Sequence, residues 1–163
     1  MSLGRIISPS AFIAANATVL GDVTIGEQAS VWFGAVIRAD KDRVVVGSGS
    51  NIQDNAVVHT SAGHPALIGE LVSVGHGAIL HGCIIHDKVL VGMGSIVMNG
   101  AEVGSGTILG AGCIVTEGTA IPENSVVLGV PGKVIKTTTD GQRETIVRKA
   151  ASYIELAKGY MHG

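Results

Sequence analysis

The sequence contains few aromatic and few charged residues. Over 163 residues, aromatic side chains make up 3% and charged side chains 15%, whereas hydrophobic residues reach 46%. The mean hydropathy is +0.45. A disordered chain is richer in charge, and a coiled coil is richer in Glu, Lys and Leu. A core with so few rings has to be built from small and β-branched residues.

Long apolar runs, a basic stripe and a set of cysteines are also lacking. Gly, Asp or Ser interrupts every apolar run, whereas a membrane helix needs roughly 20 consecutive apolar residues. The net charge of −2, without a Lys/Arg stripe, argues against a nucleic-acid partner. No signal-peptide pattern is visible, and Cys83 and Cys113 cannot form a disulfide framework. We therefore expect a cytoplasmic protein without nucleic-acid or membrane partners.

The sequence does contain a six-residue repeat. An aliphatic residue recurs every six positions, with two insertions and one dropped residue in the middle of the chain. The repeat positions are Ile7, Ile13, Val19, Ile25, Val31, Ile37, Val46, Ile52, Val58, Ile68, Val74, Leu80, Ile85, Val91, Val97, Val103, Leu109, Val115, Ile121 and Val127. Glycine is common one position later, where we expect it to supply turn conformations.

Such hexads predict an all-β solenoid, a parallel β-helix with three hexads per turn and six to seven turns. Its left-handedness is inferred from the resemblance to hexapeptide-repeat proteins. We assign residues 1–135 to this coil and residues 136–163 to a C-terminal segment that packs on it, within a single domain. Helical spacing of apolar residues predicts an α-helix over 139–160, with Thr139 and Gln142 as a capping box and Gly159 helping to end it.

Polar side chains replace glycine after several central repeat positions. Three of the six histidines stand there, together with Arg38 and Gln53. Three hexads per turn place Arg38, His59 and His81 on one face in successive turns, and His86 on the next face. One chain does not readily bring all three imidazoles to one point, and a neighbouring chain packed against that edge could complete the set.

Three neutral imidazoles with an open fourth position are the ligand set of a catalytic zinc site. Zinc lowers the pKa of a bound water to about 7, which makes hydroxide available at neutral pH. Iron(II) or cobalt would suit the same ligands. The alternative interpretation is a group of surface histidines on one edge of the solenoid.

Several segments resemble the gamma-class carbonic anhydrases. They are Arg38-Ala39-Asp40, residues 51–55 followed by His59, residues 75–83 followed by His86, residues 91–95, and the ending at 127–134. The resemblance covers nearly the whole chain. It implies a homotrimer with metal sites at the subunit interfaces, where a metal-bound hydroxide converts carbon dioxide reversibly to bicarbonate.

The same resemblance implies a ligand set and an orienting residue. His59 and His86 of one chain and His81 of its neighbour would hold the metal. Gln53 would hydrogen-bond the metal-bound hydroxide and orient its lone pair toward carbon dioxide.

Four further site residues follow from the resemblance. Arg38 would pair with Asp40 or Asp54 across the interface and lie near the bicarbonate. Its alternative role is that ion pair alone, which would hold the trimer together. Tyr153 would reach the site from the C-terminal helix, or would only pack there.

The chain departs from the best-studied members of the family around the proton path. Lys41 follows Asp40 where those members carry an acidic residue, and the short polar insertion 60–67 replaces an acidic loop that shuttles protons. His64 or His76 would substitute, or each is only a loop or packing residue. The chain thus resembles a short subgroup, for which weak or absent anhydrase activity is an open alternative.

Two other functions stay open. An acyltransferase of the same fold, using acyl-coenzyme A, needs only one histidine as general base. A non-catalytic or thioesterase-like protein would keep the site for another use. The fold alone does not decide between them. A stoichiometric bound metal would distinguish an anhydrase from an acyltransferase, and turnover would distinguish it from a non-catalytic protein.

Overall fold

Nineteen short strands and one helix make up residues 4–161, the part of the chain that this computed structural model describes. The strands pair in parallel ladders, apart from an antiparallel final strand. The chain winds as a coil, so that each strand pairs with the equivalent strands of the coils before and after it.

The coil has three flat faces. The histidine face contains the start of β3 (Thr18–Ile25) and of β5 (Val36–Val46), then β7 (Val57–His59), β10 (Ile79–His81), β13 (Ile96–Val97) and β16 (Ile114–Val115). The helix face contains β2 (Phe12–Ile13), β4 (Ser30–Val31), β6 (Asn51–Ile52), β9 (Ser73–Val74), β12 (Leu90–Val91), β15 (Ile108–Leu109) and β18 (Ser125–Leu128). The third face contains β1 (Arg5–Ile7), the ends of β3 and β5, β8 (Ala66–Ile68), β11 (Ile84–Ile85), β14 (Glu102–Val103) and β17 (Ala120–Ile121).

The aliphatic repeat residues stack in the interior. Ile37, Val58 and Leu80 are register partners in adjacent strands of the histidine face, and all three are fully buried. The repeat residues of the other two faces stack in the same way. Of all the repeat residues, only the first three along the chain, Ile7, Ile13 and Val19, are not buried. The parallel β-helix predicted from the hexads is confirmed, with about seven turns, and so is the left-handedness inferred from the resemblance to hexapeptide-repeat proteins.

Glycine after the repeat positions has a different role from the predicted one. Gly47 does not have a positive φ, but a Cβ there would lie 2.4 Å from the carbonyl oxygen of Gly69 on the next coil. Close approach of the two backbones therefore excludes a side chain at Gly47. The left-handed conformation occurs two residues later, as at Gly49.

The C-terminal segment leaves the coil through β19 (Lys133–Thr137), which pairs antiparallel with β18, and ends in α1 (Asp140–Met161). The predicted capping box is present. The N–H of Thr139 donates to Oε1 of Gln142 at 3.0 Å, and the N–H of Gln142 donates to Oγ1 of Thr139 at 3.2 Å. Gly159 lies inside the helix and does not end it, since the helix continues to Met161.

An aromatic cluster anchors α1 on the helix face. The Trp32 ring centroid lies 5.4 Å from that of Tyr153, 5.5 Å from that of Tyr160 and 5.0 Å from that of Phe12. Trp32 is buried, and its Nε1–H donates to Oγ of Ser30 at 2.9 Å. The cluster places Tyr153 at a corner of the coil. No helix within residues 4–161 combines the length and the apolar character needed to cross a membrane.

Candidate functional site

Polar side chains stack at the corner between the histidine face and the third face. Arg38, His59 and His81 are register partners there, as the hexad count predicts. The position after the repeat residue carries a side chain in every coil of this face: Leu20, Arg38, His59, His81, Met98 and Thr116. This corner therefore accepts long side chains, whereas backbone contact excludes one at Gly47, the equivalent position after a strand of the third face.

The imidazoles of His59 and His81 face each other. Nδ1 of His59 lies 3.0 Å from Nε2 of His81. The outer nitrogens have other partners, since Nε2–H of His59 donates to Oδ1 of Asp40 at 3.0 Å and Nδ1–H of His81 donates to Oδ1 of Asn99 at 2.8 Å. Outer hydrogen bonds to a carboxylate and an amide orient the two inner nitrogens toward one point. Metal-binding histidines are commonly held in this way.

Asp40 connects Arg38 to His59. Its Oδ2 accepts a hydrogen bond from Nη1 of Arg38 at 2.5 Å, while its Oδ1 accepts from His59. The hydrogen bond from His59, together with the Arg38 guanidinium, lowers the pKa of Asp40 and keeps it charged. The Arg38–Asp40 pair, expected across an interface, forms within one chain, because residues two apart in a strand project to the same side.

Gln53 lies at the opposite corner of the histidine face, where the helix face turns into it. Its side chain is 7% exposed, and its Nε2–H donates to Oδ1 of Asn51 at 2.9 Å. The Nδ2–H of Asn51 donates in turn to Oγ of Ser73 at 3.0 Å. Oε1 of Gln53 accepts no hydrogen bond from the described residues. This side chain therefore presents an oriented acceptor at the corner.

The same corner holds a second histidine–carboxylate pair and a tyrosine. Nδ1 of His76 lies 2.9 Å from Oδ2 of Asp54. Burial, followed by the negative charge of Asp54, raises the pKa of Tyr153, so its hydroxyl stays protonated at neutral pH. Gln53, His76 and Tyr153 line one cavity of about 500 Å³ between α1 and the coil.

His86 lies apart from His59 and His81. It follows β11 on the third face, at the third corner of the coil, with Nε2 2.6 Å from Oε1 of Glu102. Within residues 4–161 of one chain, no three His, Cys, Asp or Glu side chains surround a metal position. The expected division of ligands, with His59 and His86 together, thus differs from the structure, which joins His59 to His81. The reason is that a whole strand of the third face separates His81 from His86.

The sequence did not identify the residues that hold these side chains in place. Asn51 could have been found from the sequence, since it lies in the same motif as Gln53 and two positions before it. Asn99 could not have been found, because it contacts His81 only through the stacking of coils 18 residues apart.

Comparison with known proteins shows the family to which the chain belongs. The family described as Bacterial transferase hexapeptide (six repeats) matches residues 82–117. A protein named probable carbonic anhydrase, from Methanocaldococcus jannaschii, is 54% identical over 94% of this chain and 96% of its own length. Gamma carbonic anhydrase 1, mitochondrial, from Arabidopsis thaliana is 39% identical over 95% of this chain and 58% of its own length. The chain belongs to the gamma-class carbonic anhydrase family.

A solved structure with the same fold is named after a different enzyme activity. This gamma-class chain is similar, with a TM-score of 0.96 and 41% identity, to a putative acetyltransferase from Bacillus cereus, over 98% of this chain and 92% of that one. Proteins similar to this gamma-class chain thus carry names from two classes of activity. The side chains at the site have to distinguish between them.

Proposed function

We propose that this protein is a metal-dependent carbonic anhydrase, which hydrates carbon dioxide reversibly to bicarbonate at the interfaces of a homotrimer. The observation that carries the proposal is the His59–His81 pair, whose inner nitrogens are 3.0 Å apart and whose outer nitrogens are held by Asp40 and Asn99. An acyltransferase needs one histidine as general base and has no use for two imidazoles held in this way.

The His59–His81 pair fits a tetrahedral metal ion. Zinc–nitrogen bonds of about 2.0–2.1 Å at a tetrahedral angle put two ligand nitrogens about 3.3 Å apart. The observed 3.0 Å is within a few tenths of an ångström of that value. An ion at this point would be bound by Nδ1 of His59 and Nε2 of His81, the two ring nitrogens that do not donate to Asp40 or Asn99. Zinc suits these ligands, and iron(II) or cobalt are the alternatives.

The third imidazole has to come from a second chain. Two polar corners bound the histidine face, one with His59 and His81 and the other with Gln53 and His76. Between them runs a stripe of partly exposed apolar side chains: Val36, Val57, Ile79, Ile96 and Ile114. Threefold packing that covers this stripe would bring the first corner of one chain to the second corner of its neighbour.

This packing favours the neighbour's His76 as the third ligand over the His86 expected from the sequence. His76 shares a corner with Gln53, so one contact between chains would deliver both the third imidazole and the orienting amide. His86 lies on the remaining corner, outside the histidine face.

The bound ion would supply a water of lowered pKa and hence a hydroxide nucleophile at neutral pH. Gln53 donates its N–H to Asn51, so its Oε1 would accept the O–H of that nucleophile and turn a lone pair toward carbon dioxide. Arg38, held by Asp40, would attract the bicarbonate product. The Tyr153 hydroxyl, protonated at neutral pH, would donate a hydrogen bond into the cavity that it lines together with Gln53 and His76.

Metal content of anaerobically purified protein tests this proposal. We expect about one zinc or iron per chain, with loss in His59→Ala, His81→Ala and His76→Ala. His86→Ala, the matched control at the third corner, should keep its metal. The rate of carbon dioxide hydration, measured by stopped flow, should be proportional to the metal content of each variant. The rate should also rise with buffer concentration, because no acidic loop exports the proton.

Other results of the metal and hydration measurements would each contradict a different part of the proposal. Loss of metal in His86→Ala with retention in His76→Ala would overturn the packing argument but leave a three-histidine site. Wild-type protein without metal would refute the anhydrase, and acyl-coenzyme A binding would be measured next. Full metal content without turnover would indicate a non-catalytic member of the family.

A further inference from the structure

Asn99 connects the His81 ring to the insertion loop. Its Oδ1 lies 2.8 Å from Nδ1 of His81, and its Nδ2–H donates to Oγ of Ser61 at 3.3 Å. An amide oxygen only accepts, so the proton of His81 has to be on Nδ1. The bond to Ser61 uses the amide nitrogen and turns the oxygen of Asn99 toward the imidazole.

The backbone next to His81 leaves room for this contact. Gly82 has a φ of +55°, and a Cβ there would lie 2.3 Å from Oδ1 of Asn99. The N–H of Gly82 donates to the carbonyl of His59 at 2.9 Å, and the N–H of Gly100 donates to the carbonyl of Gly82 at 2.8 Å. Three successive coils are thus joined at the point where Asn99 reaches the ring.

We propose that Asn99 is a positioning residue for His81, which fixes the ring orientation and the tautomer in which Nε2, the nitrogen that faces His59, is unprotonated. The proposal rests on the proposed function in one respect, the assignment of His81 as a metal ligand. The hydrogen bond itself belongs to the metal-free chain and can be measured there.

Four proteins test the proposal: the wild type, Asn99→Leu, Asn99→Asp and Asn16→Leu. Asn99→Leu removes the acceptor at similar size, while Asn99→Asp keeps a carboxyl oxygen at the same place. Asn16→Leu is the matched control, since Asn16 also bonds an adjacent coil, through Oδ1 to the N–H of Gly34, but lies at another corner. Thermal unfolding of all four confirms that each is folded.

The first readout is the tautomer of His81 in metal-free protein, from long-range proton–nitrogen correlation spectra with labelled histidine. The wild type, Asn99→Asp and Asn16→Leu should carry the proton on Nδ1, whereas Asn99→Leu should lose this preference. The second readout is zinc affinity by competition with a chelator. Asn99→Leu should bind zinc about 10–100-fold more weakly, the usual effect of removing a residue that orients a ligand, and Asn99→Asp should recover most of it.

The two readouts distinguish a failure of the positioning role of Asn99 from a failure of the proposed metal site. An unchanged His81 tautomer and unchanged zinc affinity in Asn99→Leu would overturn the role of Asn99 while the metal site stands. A wild type that binds no zinc would overturn the proposed function and the metal-positioning role together. Weaker zinc binding in Asn99→Leu without recovery in Asn99→Asp would also count against positioning through the acceptor oxygen.

Discussion

Asn51 links the stability of the helix face to the orientation of Gln53. It is fully buried, accepts from Nε2–H of Gln53 and donates to Oγ of Ser73. Asn51→Ala removes two hydrogen bonds, each worth about 1 kcal/mol net, and leaves the nearly buried Gln53 donor unpaired, which costs about 1–3 kcal/mol more. We therefore expect a loss of about 3–5 kcal/mol in the free energy of unfolding, or a fall of about 9–15 °C in the unfolding midpoint of a chain this long.

A double-mutant cycle tests the origin of that loss. In Asn51→Ala/Gln53→Ala the unpaired amide is absent, so the double variant should be about 1–2 kcal/mol more stable than the sum of the single effects predicts. Denaturant unfolding at a fixed protein concentration measures the cycle, because the proposed trimer would make stability depend on concentration. Ser73→Ala is the control, since it removes one hydrogen bond and leaves Gln53 with its partner.

Hydration kinetics complete the test. Asn51→Ala should lower kcat/KM for carbon dioxide about 10–100-fold, close to the effect of Gln53→Ala, whereas Ser73→Ala should remain near the wild type. Two results would refute the idea that Asn51 holds Gln53 in place. One is that the stability losses of the two single variants add to within about 0.5 kcal/mol, and the other is that Asn51→Ala keeps the wild-type kcat/KM.

Three further predictions concern the coil and its helix. Gly47→Ala should destabilise the protein strongly, because the new Cβ would lie 2.4 Å from the carbonyl oxygen of Gly69 on the next coil. Gly141→Ala, which has open space around it in α1, should raise the free energy of unfolding in urea by about 0.5–1 kcal/mol. Burial raises the pKa of Cys83 to about 12, so a thiol reagent at neutral pH should label it only after unfolding, and labelling of native protein would contradict that burial. Trp32→Ala should cost about 3–5 kcal/mol and expose α1 to limited proteolysis, with proteolysis at the wild-type rate as the contrary result.

Much of the solenoid was predictable because its interactions repeat locally. Each hexad places one aliphatic side chain inward, so a period of six in the sequence specifies both the interior and the stacking of Ile37, Val58 and Leu80. The capping box at Thr139 was predictable for the same reason, since it needs residues only three apart. The role of Gly47 was not, because the atom that excludes a side chain there belongs to the following coil.

The sequence by itself determined the class of fold, the family and the residue types available for a metal site. Only the tertiary structure decided which of them meet: His59 with His81, Gln53 with Asn51, and Asn99 with the outer nitrogen of His81. Three hexads per turn set the corner at which each polar side chain emerges, and the side chains that touch there come from coils 18 to 22 residues apart in the chain. His86 shows the consequence, because it shares the repeat position of His81 yet lies beyond another strand, at a corner of its own.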